Sequence, residues 1–185
     1  MVLEKYEDEL YKCILCGVCR EMYFGKMNTY KVCPTREEFG FESYDARGKI
    51  LIARALLKGE LEYSDKLVKR LYEGCLLCGH CKTVCPCGVD TISVFRAMRQ
   101  DIVRMGLGPV EPLKQLDKRV EETFNVFGES VAKRSEWASG LNLPRKDETL
   151  YFAGCYASYR YQETAKASIG VLREAGIDVA YLYND

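Results

Sequence analysis

The chain has 185 residues, enough for one domain of ordinary size and part of another, and 48% of them are hydrophobic, so a packed core is expected and disorder is not. Basic and acidic residues number 27 each, for a formal net charge of zero; no basic excess is left for phosphate contacts, which argues against a nucleic-acid partner. The longest strongly apolar run, around Ile50–Leu57 and broken by Arg54, falls far short of the ~20 residues that cross a bilayer, so membrane contact is expected only through a partner.

In chain order, residues 1–12 read as a short amphipathic helix with Leu3, Tyr6, Leu10 and Tyr11 toward one side. It runs into Cys13-Ile-Leu-Cys16-Gly-Val-Cys19. Residues 20–32, polar and aromatic with Gly25 and Asn28, read as an inserted loop, and Cys33-Pro34 follows. Asp45 can cap a helix over 46–58 that Gly59 ends, with Ile50, Leu51 and Leu57 on its buried face. Ser64 or Asp65 can cap the next, with Leu67, Val68 and Leu71 inside and Gly74 at its end, leading straight into a second cysteine loop. Asp90 can cap a helix through Met105, stopped by Gly106 and Pro109, with Ile92, Phe95, Met98 and Ile102 along one face. Pro112 suits the start of another, along which Leu113, Leu116, Val120, Phe124 and Phe127 step by three and four. Residues 129–141 predict one more helix, anchored by Val131, Trp137 and Leu141, and residues 143–148 a linker.

Beyond the linker the pattern changes. Thr149–Ala153 reads as a strand, Gly154–Ser158 as a turn, Tyr159–Ala175 as a helix and Ile177–Tyr183 as a second strand, a βαβ unit with parallel strands. Two parallel strands make a poor core alone. The expected fold is therefore mainly α: a helical domain over 1–142, then residues 149–185 as the opening fragment of a truncated α/β domain.

Ten cysteines in a small secreted chain would suggest a disulfide framework. Here the length makes staples unnecessary, no signal peptide is expected and the spacing points elsewhere, so a reducing cytoplasm is the expected compartment. Cys75-Leu-Leu-Cys78-Gly-His-Cys81-Lys-Thr-Val-Cys85-Pro86 reads C-x2-C-x2-C-x3-C-P, the run that holds cubane iron–sulfur clusters in bacterial-type ferredoxins. Three thiolates on one short loop can reach three irons of a cube; the fourth ligates the other cluster in two-cluster proteins. The earlier set repeats the triplet, with its Cys-Pro displaced by residues 20–32. The crossed rule assigns Cys13, Cys16, Cys19 and Cys85 to one [4Fe–4S] cluster, and Cys75, Cys78, Cys81 and Cys33 to a second; uncrossed pairing is the alternative.

Each signal has a competing explanation. Structural zinc also accepts four thiolates, and would make the chain a non-redox scaffold, but zinc sites use pairs where this chain has two triplets each with a distal Cys-Pro. Cys87 could take the place of Cys85 or be a free thiol. His80, the only histidine, either donates to a cluster sulfur or lies exposed beside the loop. Lys12, Arg20 and Lys82 flank the loops, where they offset thiolate charge, help dock a partner or form ordinary solvated surface. Cys155 falls on a strand-to-helix turn, the edge where open α/β sheets bind ligands, and is either the first ligand of a further cluster or a lone small hydrophobe. No nucleophile, acid–base pair or substrate pocket is identifiable, so no catalytic residue is assigned.

The segment from Ser43-Tyr44-Asp45-Ala46-Arg47-Gly48-Lys49-Ile50 through Cys85-Pro86-Cys87-Gly88-Val89-Asp90 to Arg99 resembles the helical ferredoxin domain of heterodisulfide reductase-like iron–sulfur oxidoreductases. Subunits of anaerobic glycerol-3-phosphate dehydrogenase, glycolate oxidase and lactate-utilisation complexes are built similarly. Leu150-Tyr151-Phe152-Ala153-Gly154-Cys155 resembles the opening of their cysteine-rich domain, whose later Cys-Cys-Gly triplet is not in this sequence. The resemblance implies a carrier that relays single electrons through two [4Fe–4S] clusters to a catalytic subunit or missing C-terminal domain, in heterodisulfide or organic-acid oxidoreduction.

Overall fold

The computed structural model describes residues 1–25 and 28–182. The chain divides into two compact units, Met1–Glu111 and Pro112–Asp185. The sequence expectation ran the first domain to residue 142; by packing, the residues from 112 onward group with the α/β fragment.

The first unit opens with a 3-10 turn, Leu3–Tyr6, that continues into α1 (Glu7–Tyr11). The carboxylate of Asp101, itself buried, accepts hydrogen bonds from the Val2 and Leu3 amides at 2.6 and 2.9 Å. A side chain ninety-eight residues away thus caps the first turn. Residues 20–32, expected as loop, form an antiparallel hairpin of β1 (Glu21–Phe24) and β2 (Asn28–Lys31), with Glu21 opposite Lys31 and Met22 opposite Tyr30. The polarity that suggested a loop is that of a solvent-facing strand: all four residues of β2 are exposed. The Val32 amide donates to the Arg20 carbonyl at 3.0 Å, so the insertion leaves and returns at one place.

α2 (Pro34–Phe39) follows, with proline at its first position, where the missing N–H is an orphan in any case. α3 (Ala46–Leu57) is capped by Asp45, whose carboxylate accepts the Gly48 amide at 3.0 Å. A Cβ on Gly48 would lie 2.2 Å from the Glu42 carbonyl oxygen, so only glycine lets α3 approach the preceding turn. The buried stripe of α3 is Ala46, Ile50, Ala53 and Leu56; Leu51, expected inside, is exposed because it lies one residue out of phase with that stripe. α4 (Asp65–Glu73), capped by Ser64, buries Val68 and Leu71. α5 (His80–Thr83) is a single turn, and α6 (Thr91–Arg104), capped by Asp90, buries Val94, Phe95, Met98 and Ile102. One core joins these faces with Leu3 and Leu10.

In the second unit α7 (Glu111–Thr123) carries the expected apolar stripe but buries no residue; Leu113, Leu116 and Val120 are exposed. Residues Val131–Ala138 form a 3-10 helix that places Trp137 in a core with Ala165, Ile169, Val179 and Tyr181. The expected turn at 154–158 is α8 (Gly154–Tyr159), and the expected helix is its continuation after a break, α9 (Gln162–Glu174). The βαβ connection is present with minimal pairing, a single parallel bridge between Leu150 and Ala180. The expected end of its second strand, Tyr183, lies outside the described residues. The fold is mainly α with a small βαβ unit, as expected.

Replacing Asp101 with alanine strands two buried amide donors and is expected to destabilise the first unit by about 3 kcal/mol. Urea unfolding followed by circular dichroism checks this.

Candidate functional site

The two cysteine loops are built alike. In each triplet the leucine before the second cysteine takes a left-handed conformation (Leu15 φ 59°, Leu77 φ 52°), and so does the following glycine (Gly17 and Gly79, both φ 83°). This curl keeps successive thiols on one side of a short loop. The strain at each leucine is held by the surroundings. Helix ends feed both loops, and a half-buried arginine holds each junction. Arg54 Nη2 donates to the Leu10 and Cys13 carbonyls at 2.7 Å each, and its guanidinium stacks 4.9 Å over the Tyr11 ring. Arg99 Nη2 donates to the Leu71 and Cys75 carbonyls at 2.9 and 2.5 Å, with its guanidinium 4.8 Å over Tyr72. Each arginine stands nine residues after the aspartate that caps its helix, Asp45 for α3 and Asp90 for α6.

Two cavities result. The first is lined by Cys13, Cys16, Cys19, Cys85 and Cys87, with Ala46, Arg47, Ile50 and Thr91. The second is lined by Cys33, Cys75 and Cys78, with Thr35, Lys49, Ile92 and Phe95. Cys81 and Ala46 line both, so the cavities share a wall. The first turns of α3 and α6 face them through Ala46, Arg47, Thr91 and Ile92, which brings the positive ends of both helix dipoles to the thiols. All ten cysteines are free of disulfides. Among the described residues, no three Cys, His, Asp or Glu side chains converge as on a single metal ion.

Hydroxyl groups reach the sulfurs. Cys81 Sγ lies 3.0 Å from Thr91 Oγ1, and Cys33 Sγ 3.3 Å from Thr35 Oγ1. Thr35 also donates toward the Tyr44 and Gly74 carbonyls at 2.8 and 3.0 Å, which ties the Cys33 segment to the end of α4. Burial pushes the Cys81 thiol upward, partly offset by the Thr91 bond, and pushes Cys19 to about 12 from an ordinary 9.0, with Asp45 adding to the rise. Lys49, fully buried, is pushed down by its burial and pulled back by the sulfurs of Cys75 and Cys33, by Asp45 and by Cys81. A pair of sulfur-lined cavities with dipole, hydroxyl and cationic groups turned on the thiols fits a polynuclear anionic iron–sulfur group.

The remaining sequence candidates divide. His80 is half-buried on the second cavity wall, its ring edge-on to Tyr30 at 5.6 Å. Lys82 pairs with Asp90 at 2.7 Å and Lys12 with Glu9 at 2.6 Å, both on the surface. Arg20 is half-buried at the base of the hairpin. Cys155 lies in the second unit, half-buried in a cavity with Arg134, Tyr151 and Tyr181. Sequence reasoning missed Lys49, Arg54, Arg99, Thr35 and Thr91. The equal Asp-to-Arg spacing in the two halves was a visible signal for the arginines; nothing in the sequence marks Lys49 as buried.

Residues 9–89 match the 4Fe-4S dicluster domain family. The chain is 31% identical over 189 residues to the D subunit of the dihydromethanophenazine:CoB–CoM heterodisulfide reductase of Methanosarcina barkeri, covering 94% of this chain and 44% of that protein. It is 31% identical over 191 residues to the glycolate oxidase iron–sulfur subunit of Escherichia coli, covering 92% of this chain and 44% of that protein. A probable glycolate oxidase iron–sulfur subunit of Bacillus subtilis is 38% identical over 84 residues, 45% of this chain and 16% of its own length. No solved structure matches the chain. Fold, thiol cavities and domain match define a chain of the 4Fe-4S dicluster class. The chain is a relative of the heterodisulfide reductase-like iron–sulfur oxidoreductases and carries a 4Fe-4S dicluster domain. It spans less than half the length of these curated relatives. Among the described residues no helix is long and apolar enough to cross a membrane.

In the metal-free fold, Cys19 stays protonated where the unfolded chain already ionises. The stability this confers is fully present below pH 9.0 and is lost as pH rises toward about 12. Metal-free protein is expected to melt at falling temperature across that window, and Cys19→Ala to flatten the slope, as measured by thermal unfolding at stepped pH.

Proposed function

We propose that the first cavity holds one [4Fe–4S] cluster on Cys13, Cys16, Cys19 and Cys85, and the second holds another on Cys75, Cys78, Cys81 and Cys33. The observation that carries this reading is the crossing: each Cys-Pro cysteine lines the cavity of the other run's triplet. Each bound cluster supplies reversible one-electron chemistry. The chain's own residues do the rest. The curled loops and arginine clamps hold the thiols in place before metal arrives. The helix ends and the Thr35 and Thr91 hydroxyls stabilise thiolate charge, and the apolar walls keep water out. Cys81 and Ala46 line both cavities, so the two groups, when bound, would be held against one shared wall.

The role that follows is a relay of single electrons between a donor subunit and a catalytic site outside these residues, in a heterodisulfide reductase-like or organic-acid oxidoreductase complex. The names of the relatives, subunits of a heterodisulfide reductase and of glycolate oxidases, support that assignment. Residues from Thr149 on, with Cys155, would then open a cysteine-rich α/β domain. The free thiols suit a reducing cytoplasm, with any membrane contact made by a partner.

Protein purified without oxygen is expected to carry about eight irons and as many sulfides per chain, and to be brown and bleach with dithionite. Stoichiometric zinc without iron would instead make it a structural scaffold. Cys13→Ser and Cys85→Ser should alter one EPR signal, and Cys33→Ser and Cys75→Ser the other. If Cys13 and Cys85 act on different signals, the crossed assignment is wrong.

A further inference from the structure

The two cavities follow one plan, and the departures from it carry information. Counting from the capping aspartates, Ala46 corresponds to Thr91, Arg47 to Ile92, Lys49 to Val94 and Ile50 to Phe95. Arg47 and Ile50 line the first cavity and their counterparts Ile92 and Phe95 the second, as the repeat requires. Lys49 breaks the pattern. It is 1% exposed, in a core helix, where its counterpart Val94 is an ordinary buried hydrophobe. A buried ammonium is costly to keep and calls for compensation.

The compensation is one-sided. Lys49 Nζ donates to the Tyr44 carbonyl and, at 3.4 Å, to the Asp45 carbonyl, rather than to a carboxylate. The Phe95 ring centroid lies 6.0 Å away. The nearest acid, Asp45, is turned to the Gly48 amide and to Arg36, whose Nε is 3.8 Å from the second carboxylate oxygen. The cationic charge of Lys49 is therefore met mainly by the sulfurs on the same cavity wall: it interacts with Cys75 and Cys33 before Asp45, and then with Cys81. The first cavity has a cation as well, Arg47. Arg47 is partly solvent-exposed and closes an ion pair with Glu42, so its charge is neutralised locally and screened by water.

We infer that Lys49 is a positioning residue for charge: it holds the redox group of the second cavity at a higher reduction potential than that of the first. This rests on the cluster assignment above. Reduction adds one negative charge to a cluster, and a buried cation on its wall stabilises the reduced state more than the oxidised one. One electron then moves from the first site, which is oxidised, to the second, which is reduced; no covalent bond changes. The second site is where an electron rests before it leaves the chain.

The test is an EPR-monitored redox titration of the full chain, purified without oxygen and poised with dithionite, with iron counted in parallel. In Lys49→Met the upper of the two midpoint potentials is expected to fall while the lower stays, and Lys49→Arg to restore the upper. A retained iron count with neither midpoint moved, or with the shift on the lower midpoint, overturns the inference. If Lys49→Met does not assemble, Cys16→Ser decides, since serine at the first site alters that site's signal. The unaltered signal must titrate at the upper of the two wild-type midpoints, and titration at the lower one refutes the proposal. A wild-type chain without iron would instead remove the cluster assignment itself, a failure the iron count distinguishes.

Discussion

Thiols from two distant loops must come together across one wall, and the junction of α3 with α6 makes this happen. Both helices begin at an aspartate cap and turn their first residues, Ala46 and Thr91, toward sulfur. Both send an arginine back from their middle to the carbonyls where the opposite helix end opens into a cysteine loop. A helix start offers unpaired amides and a positive dipole end, the environment an anionic thiolate group needs. The core of Ile50, Ala53, Phe95 and Met98 fixes the distance between the two starts. Hairpin, turns and caps in the first unit are arranged around that junction.

The same arrangement explains why the inserted residues 20–32 do no harm. The hairpin leaves at Arg20 and returns at Val32, joined by one backbone hydrogen bond, so its length is invisible to the core. Cys33 then starts α2 and is held near Tyr44 by its own sulfur and by Thr35. Its place on the second cavity depends on those local bonds and not on its distance along the chain from Cys19. Asp101 does related work at the other end of α6, where its carboxylate holds the first residues of the chain.

The repeat is imperfect at the cations beside the two cavities. Arg47 with its ion pair on one side, and Lys49 hydrogen-bonded to carbonyls on the other, make the two cavities electrostatically different. The second unit lacks this precision. Its core is organised by Trp137, edge-on to Tyr151 and Tyr181, and its β pairing is one bridge long.

The cysteine runs, the caps at Asp45, Ser64 and Asp90, and the helix spans between them were legible in the sequence, because each depends on residues close together in the chain. The hairpin was not, since four exposed strand residues look like loop until their partners are known. Nor was the phase of α3, which its neighbours select by burying Ala53 and Leu56 in preference to Leu51. The 3-10 form of Val131–Ala138 and its place in the second unit likewise came from Trp137 finding its pocket. Sequence alone therefore singled out the thiols as a candidate ligand set, because ligand chemistry is a matter of residue type and short spacing. Only the tertiary structure decided which thiols face which cavity and that Lys49 is buried beside one of them, because burial and proximity across the chain are properties of packing.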